Sequence, residues 1–240
     1  MADKAIRDFD EAIRFKPKFS HPYGNRGIIW TIKKDYDRAI KDFDRGVELE
    51  PKNAKFLVQR GLAWRAKREF GKALHDFDKA ILIDPKSASP VIFAHFTARE
   101  AGHKAKAEQL LKAASEKLDN KAWPYPVLQF LAGEMNEPAL LKLATDNDRQ
   151  TEARCYLGLD HALNKRKKEA TAQFRWVRDH GNPHIPEHRI AVAELERLEQ
   201  PQKSPNRRKT RDGPHDPFPG NLFDKGFTLR RQVQGQRPSD

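Results

Sequence analysis

One phrase recurs three times at a spacing of 34 residues: DKAIRDFDEAIRFKP from Asp3, DRAIKDFDRGVELEP from Asp37 and GKALHDFDKAILIDP from Gly71. Ala5, Phe9, Ala12 and Pro17 return as Ala39, Phe43, Gly46 and Pro51, and again as Ala73, Phe77, Ala80 and Pro85. A fixed period of this length marks a stacked array, in which each unit buries its apolar face against its neighbours. Such an array grows by adding units, so length sets no domain count. It offers an extended surface to another molecule and usually carries no chemistry of its own.

Within each unit the sequence predicts two helices. Apolar residues at i, i+3, i+4 and i+7 give one buried stripe, and a proline stops the second helix. Tyr23, Gly27 and Trp30 mark a first helix, repeated as Leu57, Gly61 and Trp64, while Ala39 and Gly46 flank Phe43 in a second. Tyr36 and Phe70 close the hairpins. Glycine inside a helix costs about 1 kcal/mol, which is tolerable where two backbones must approach closely.

These residues, from Ala2 to Pro85, resemble the tetratricopeptide repeat (TPR) family in period, in the alternation of small and aromatic positions, and in the closing proline. The resemblance implies an all-α, right-handed superhelical solenoid of helical hairpins. Weaker units follow. Around residues 90–118 the pattern degrades, with His95 where glycine is expected, yet Ala107, Leu111 and Ala114 keep the second-helix spacing. Tyr156, Leu157 and Gly158, then Ala170 and Phe174, restore it. Between them, WPYPVLQFLAGEMNEPALLKLATD reads as a shortened hairpin with Pro138 early in its second helix, where a missing N–H matters least. The expected layout is a solenoid over residues 1–199, with repeats at about 20–53, 54–87, 88–120, 123–146 and 150–183 and a capping helix at 186–198. It begins at the second helix of a truncated repeat, whose Phe9 and Ile13 are left exposed or packed only against Tyr23 and its neighbours.

The second half is also similar, in the order of its segments, to the NlpI group of bacterial TPR lipoproteins. Trp123–Pro124, QFLAGEMNEPALL, ATDNDRQTEARCYLGL and PEHRIAVAEL carry the likeness. That resemblance implies an adaptor that brings envelope proteases and cell-wall hydrolases together. The opening residues depart from the group, having neither an apolar run suited to a signal peptide nor a lipid-accepting cysteine. As written, the sequence predicts a soluble chain made in the cytoplasm, with an envelope location if an export signal stood upstream. Cys155, the single cysteine, sits in an apolar helical string and reads as a small buried thiol.

Formal charge is +12, and nine Lys or Arg against four Asp fall in residues 201–240, leaving about +7 on the body. The imbalance favours acidic protein, nucleic acid or anionic lipid as partner. After Gln200 the composition shifts to six prolines and four glycines in forty residues, which predicts a disordered basic tail. Its run Arg207, Arg208, Lys209 and Arg211 could contact phosphates by charge, and Phe218, Leu222, Phe223 and Phe227 form a more apolar patch.

On a helix wheel, Ile28, Thr31, Val58, Gln59, Leu62, Arg65, Ile92, Phe96 and Arg99 fall on or near the inner side of the superhelix. An apolar groove with scattered Arg suits an extended or helical peptide bearing acidic groups, although several of the same residues could pack only against the next hairpin. The TPR resemblance adds part of a carboxylate clamp in Asn25 and Lys55, but Gln59 stands where the clamp would need Arg. His180, His184 and His188 are spaced as metal ligands could be, but Pro183 and Pro186 break the helix that would align them. No catalytic residue, metal site or cofactor is expected, and carboxylates such as Asp8 and Asp10 read as solvated helix faces. Two classes of function follow. One is a non-enzymatic scaffold or adaptor binding a peptide or protein segment in the groove; the other is a nucleic-acid-associated protein using the basic tail on phosphates and the repeats for recruitment.

Overall fold

A computed structural model describes residues 2–118 and 122–200. The described residues hold twelve helices and no strand. They are α1 (Ala2–Phe15), α2 (Ser20–Ile32), α3 (Tyr36–Leu49), α4 (Ala54–Ala66), α5 (Phe70–Ile83), α6 (Ala88–Glu100), α7 (Lys104–Ser115), α8 (Tyr125–Leu131), α9 (Glu137–Leu143), α10 (Asn147–Leu163), α11 (Lys167–His180) and α12 (Pro186–Glu199). Even-numbered helices from α2 to α10 are first helices and odd-numbered ones are second helices. Each first helix packs on the second helix of its own hairpin, and α12 packs on both α10 and α11. The result is an all-α solenoid of hairpins.

The turn inside each hairpin repeats one device. Lys34, Arg68, Gly102, Gly133 and Lys165 all have φ between 60° and 84°, the left-handed region that lets a helix end and reverse in few residues. Three of these five are non-glycine, so the turn is held by its surroundings at some local cost.

Packing inside the hairpin rests on a glycine facing an aromatic ring. A Cβ built at Gly27 would lie 2.7 Å from Phe43, and one at Gly61 would lie 2.7 Å from Phe77. Gly158 meets Phe174 in the same way. Both Phe43 and Phe77 are fully buried. At the corresponding place in the third hairpin His95 replaces the glycine and Leu111 replaces the phenylalanine, so the bulk has moved from one helix to the other. His95 is buried, with Nδ1 3.1 Å from the Ala107 carbonyl.

Polar ties follow the same period: Asp8 and Asp10 are exposed as expected, although Asp10 is also paired, while their counterparts in later repeats are drawn into the structure. Arg26 in α2 grips Asp42 with Nε and Nη2 at 2.9 and 2.5 Å, and its Nη1 reaches back to Asp10 at 2.5 Å. One repeat later Arg60 grips Asp76 at 2.8 and 2.6 Å and reaches Asp44 at 2.7 Å. In the second and third Asp-Phe-Asp triplets the first Asp, Asp42 or Asp76, is thus held inside its hairpin, and in the first and second triplets the second Asp, Asp10 or Asp44, ties that hairpin to the next. Side chains of Asp42 and Asp76 are only 6% and 2% exposed. Their hydrogen bonds raise the pKa of Arg26 and Arg60, keeping both guanidinium groups charged despite partial burial. Two-pronged contact of this kind fixes orientation as well as charge.

Candidate functional site

The inner face of the solenoid is built from the first helices, and its two ends differ. Along α2 and α4, Asn25 and Lys55 are exposed, while Ile28, Thr31, Val58, Gln59 and Leu62 are half-buried. Thr31 donates from its hydroxyl to the Gly27 carbonyl at 3.0 Å, so its polar group is satisfied within the helix. Ile28, Val58 and Leu62 are the half-buried apolar side chains among these positions, and Val58 and Leu62 pack in part against the large core cluster.

Along α6 the expected groove is filled. Ile92 and Phe96 are fully buried, and Phe96 stacks on Tyr156 of α10 with ring centroids 5.9 Å apart. Phe93 meets the same tyrosine edge-on at 6.2 Å. This contact is made because α8 and α9 have only seven residues each, which lets α10 reach α6 directly. Tyr156 donates to Glu187 of α12 at 2.6 Å, fixing the last helix against α10.

The two arginines expected to hold acidic groups of a ligand are engaged within the protein. Arg65 is buried between Glu100 and Glu194, with Nη2 bonded to Glu100 and 3.5 Å from Glu194. Burial opposes its charge, but the two carboxylates outweigh burial and raise its pKa. Arg99 donates to Asp160 at 2.8 Å and to Asn164 at 3.1 Å. A salt bridge from Lys34 to Glu196 joins the end of α2 to the end of α12. Wheel geometry placed these positions on the inner side; it did not show that α10 and α12 would lie against them.

An acidic group lies where α10 meets α12. Burial, with the nearby Glu187 charge, pushes Glu152 up to about 7, while the Trp123 indole N–H, donating at 3.0 Å, works against the rise. Burial also raises Glu187, opposed by the Tyr156 hydrogen bond. Cys155, fully buried, has its thiol pushed well up by burial. The three spaced histidines fall on separate elements: His180 ends α11 stacked on Trp176, His184 is in the following loop, and His188 is in α12. Among the described residues no group of three His, Cys, Asp or Glu is placed to hold a metal ion. No helix there is long and apolar enough to cross a membrane. Arg207, Arg208, Lys209 and Arg211 lie outside the described residues.

Residues 21–53 match the family model described as Tetratricopeptide repeat. A TPR protein from Parabacteroides merdae is similar at 17% identity, with 81% of this chain and 78% of that one covered and a TM-score of 0.52. A thermophilic TPR protein from Thermus thermophilus is similar at 18% identity, with 81% and 91% covered and a TM-score of 0.49. Residues 21–53 thus carry a tetratricopeptide repeat, and the described residues have the all-α fold of stacked hairpins that such repeats build.

Proposed function

We propose that this protein is an interaction scaffold that takes a peptide or protein segment along the inner face of α2 and α4. The observation that supports this reading is the incomplete burial of the apolar side chains Ile28, Val58 and Leu62, with Asn25 and Lys55 exposed on the same two helices. A segment with apolar side chains toward these three residues and a carboxylate near Lys55 has the complementary chemistry. Gln59 offers an amide in place of a guanidinium, which favours single hydrogen bonds over a two-pronged hold on a chain-terminal carboxylate. The finer role is an adaptor that holds an enzyme near its substrate, as the likeness of the second half to the NlpI group implies. On this reading Arg65, Ile92, Phe96 and Arg99 support the surface without touching the ligand.

Selection from a displayed peptide library with the full chain tests this. Peptides that bind the unaltered protein should be lost with Val58→Glu, whose circular dichroism should stay native because the position is only half-buried. Equal binding by the variant would reject the surface. Binding that instead disappears only when residues 201–240 are removed, and that falls steeply with salt, would favour the nucleic-acid class.

A further inference from the structure

The turns that follow α1, α3 and α5 are copies of one another, and the first copy has changed character. They read Phe15-Lys16-Pro17-Lys18-Phe19, Leu49-Glu50-Pro51-Lys52-Asn53 and Ile83-Asp84-Pro85-Lys86-Ser87. In the second, Asn53 caps α4 by accepting from the Lys55 N–H at 3.1 Å. In the first, Phe19 occupies that place and α2 starts with no side-chain cap. Lys16 stands where the others carry Glu50 and Asp84, and Arg14 where they carry Glu48 and Leu82. Ser87 in the third turn also makes no cap hydrogen bond, so what sets the first apart is an aromatic where the others carry a polar residue and a cation where they carry an acid. Departures of this kind from a chain's own pattern point to function.

The changed turn is exposed and well held. Phe15 is 69% exposed and Phe19 49%. Tyr23 donates to the Pro17 carbonyl at 3.1 Å, and the Phe19 N–H bonds to the Lys16 carbonyl at 3.0 Å. Arg14 lies over the Phe15 ring at 5.1 Å, and Phe19 stacks on His21 at 5.1 Å. Each ring therefore has a neighbour over one face while much of its remaining surface is exposed. The nearest acids are already engaged, Glu11 at 3.9 Å from Arg14 and Glu50 by Ser20 and Asn53. Because α1, α3 and α5 run in the same direction, their ends share one edge of the array. Leu82, 81% exposed, and Ile83 lie on that edge at the end of α5.

We propose that this edge docks on an anionic lipid surface, with the rings of Phe15 and Phe19 in the interfacial layer and Arg14, Lys16 and Lys18 against the headgroups. Charge complementarity selects an anionic partner. The shape selects among anionic partners. The dent beside the turn, about 510 Å³, is lined by Lys16, Pro17, Lys18 and Phe19 alone, an open hollow that would not enclose peptide side chains. Rings with one face covered make poor platforms for stacked bases, whereas a fluid interface accepts whatever apolar surface stays exposed.

Flotation of the full chain with phosphatidylcholine vesicles, with and without phosphatidylglycerol, tests the proposal. The unaltered protein should float with the anionic vesicles, less so as salt is raised, and stay behind with neutral ones. Phe15→Ser with Phe19→Asn should lower partition about tenfold or more, while the restored cap keeps the thermal midpoint at or above its original value. Lys16→Glu should lower it about fivefold or more. The proposal is overturned if the unaltered protein does not float, if it floats equally with neutral vesicles, or if the variants float as it does, which would leave the basic run at Arg207–Arg211 as the anchor. It is equally overturned if the variants lose binding to polyglutamate or an oligonucleotide while their vesicle partition is unchanged.

Discussion

The regular half of the molecule, α1 to α5, and the irregular half, α6 to α12, solve the same packing problem differently. In the regular half every unit copies the last, so Gly27–Phe43 and Gly61–Phe77 set the spacing within hairpins and Arg26 and Arg60 tie each hairpin to its neighbours. In that half Ile28, Val58 and Leu62 stay half-buried, and Arg65, near the end of α4, is covered from the other half. In the irregular half His95 replaces the glycine, one hairpin is shortened, and α10 and α12 turn inward to bury Ile92, Phe96 and Arg65. Strict repetition leaves Ile28, Val58 and Leu62 half-buried; breaking the repeat puts Ile92 and Phe96 into the core.

The largest effect should come from cutting a tie in the regular half. Asp76→Ala leaves Arg60 with one partially exposed carboxylate and should cost about 3–5 kcal/mol in urea unfolding, because a half-buried charge loses its two-pronged partner. Asp160→Ala, which removes the Arg99 contact in the irregular half, should cost less, since Arg99 keeps Asn164. Next in size, Gly61→Ala pushes a methyl into the Phe77 ring and should cost about 2–3 kcal/mol. His95→Gly should also destabilise, because Leu111 does not fill the space a phenylalanine would; restoring both residues in His95→Gly, Leu111→Phe should recover part of the loss.

The acidic junction supplies a pH test confined to the irregular half. Glu152 has a folded pKa of about 7, above its ordinary value of 4.5, so the folded state holds the extra proton. Its contribution to stability is fully present below about pH 4.5 and is lost as pH rises through 7. The loss should be on the order of 3 kcal/mol, and Glu152→Gln should flatten that part of the curve of thermal midpoint against pH. An unchanged slope in the variant would place the titrating group elsewhere. The smallest effect is at the hairpin turns, where Arg68→Gly relieves a left-handed residue and should raise stability by about 0.5 kcal/mol.

Much of the regular half was legible because its information is periodic. The small–aromatic alternation at Ala39, Phe43 and Gly46 and the prolines at Pro51 and Pro85 announce hairpins to anyone counting residues. The arginine ties were legible in principle, since Arg26 and Arg60 share the same period as the aspartates they hold. They escaped a reading of one helix at a time because each pair joins two helices. What a wheel cannot show is the filling of the irregular half. Arg65 meets Glu194 across 129 residues of sequence, and Phe96 meets Tyr156 by passing over a whole hairpin. No local spacing encodes either contact; each depends on how far the short α8–α9 hairpin lets α10 turn.

The contrast between an open and a filled inner face can be measured without knowing any partner. In a Cys155→Ala background, Val58→Cys and Ile92→Cys place one thiol on each half of that face, and native-state labelling with a small maleimide reads access directly. The thiol at 58 should react at least about a hundred times faster, the thiol at 92 being reached only through opening reactions of the folded core. Equal rates, whether both fast or both slow, would contradict it.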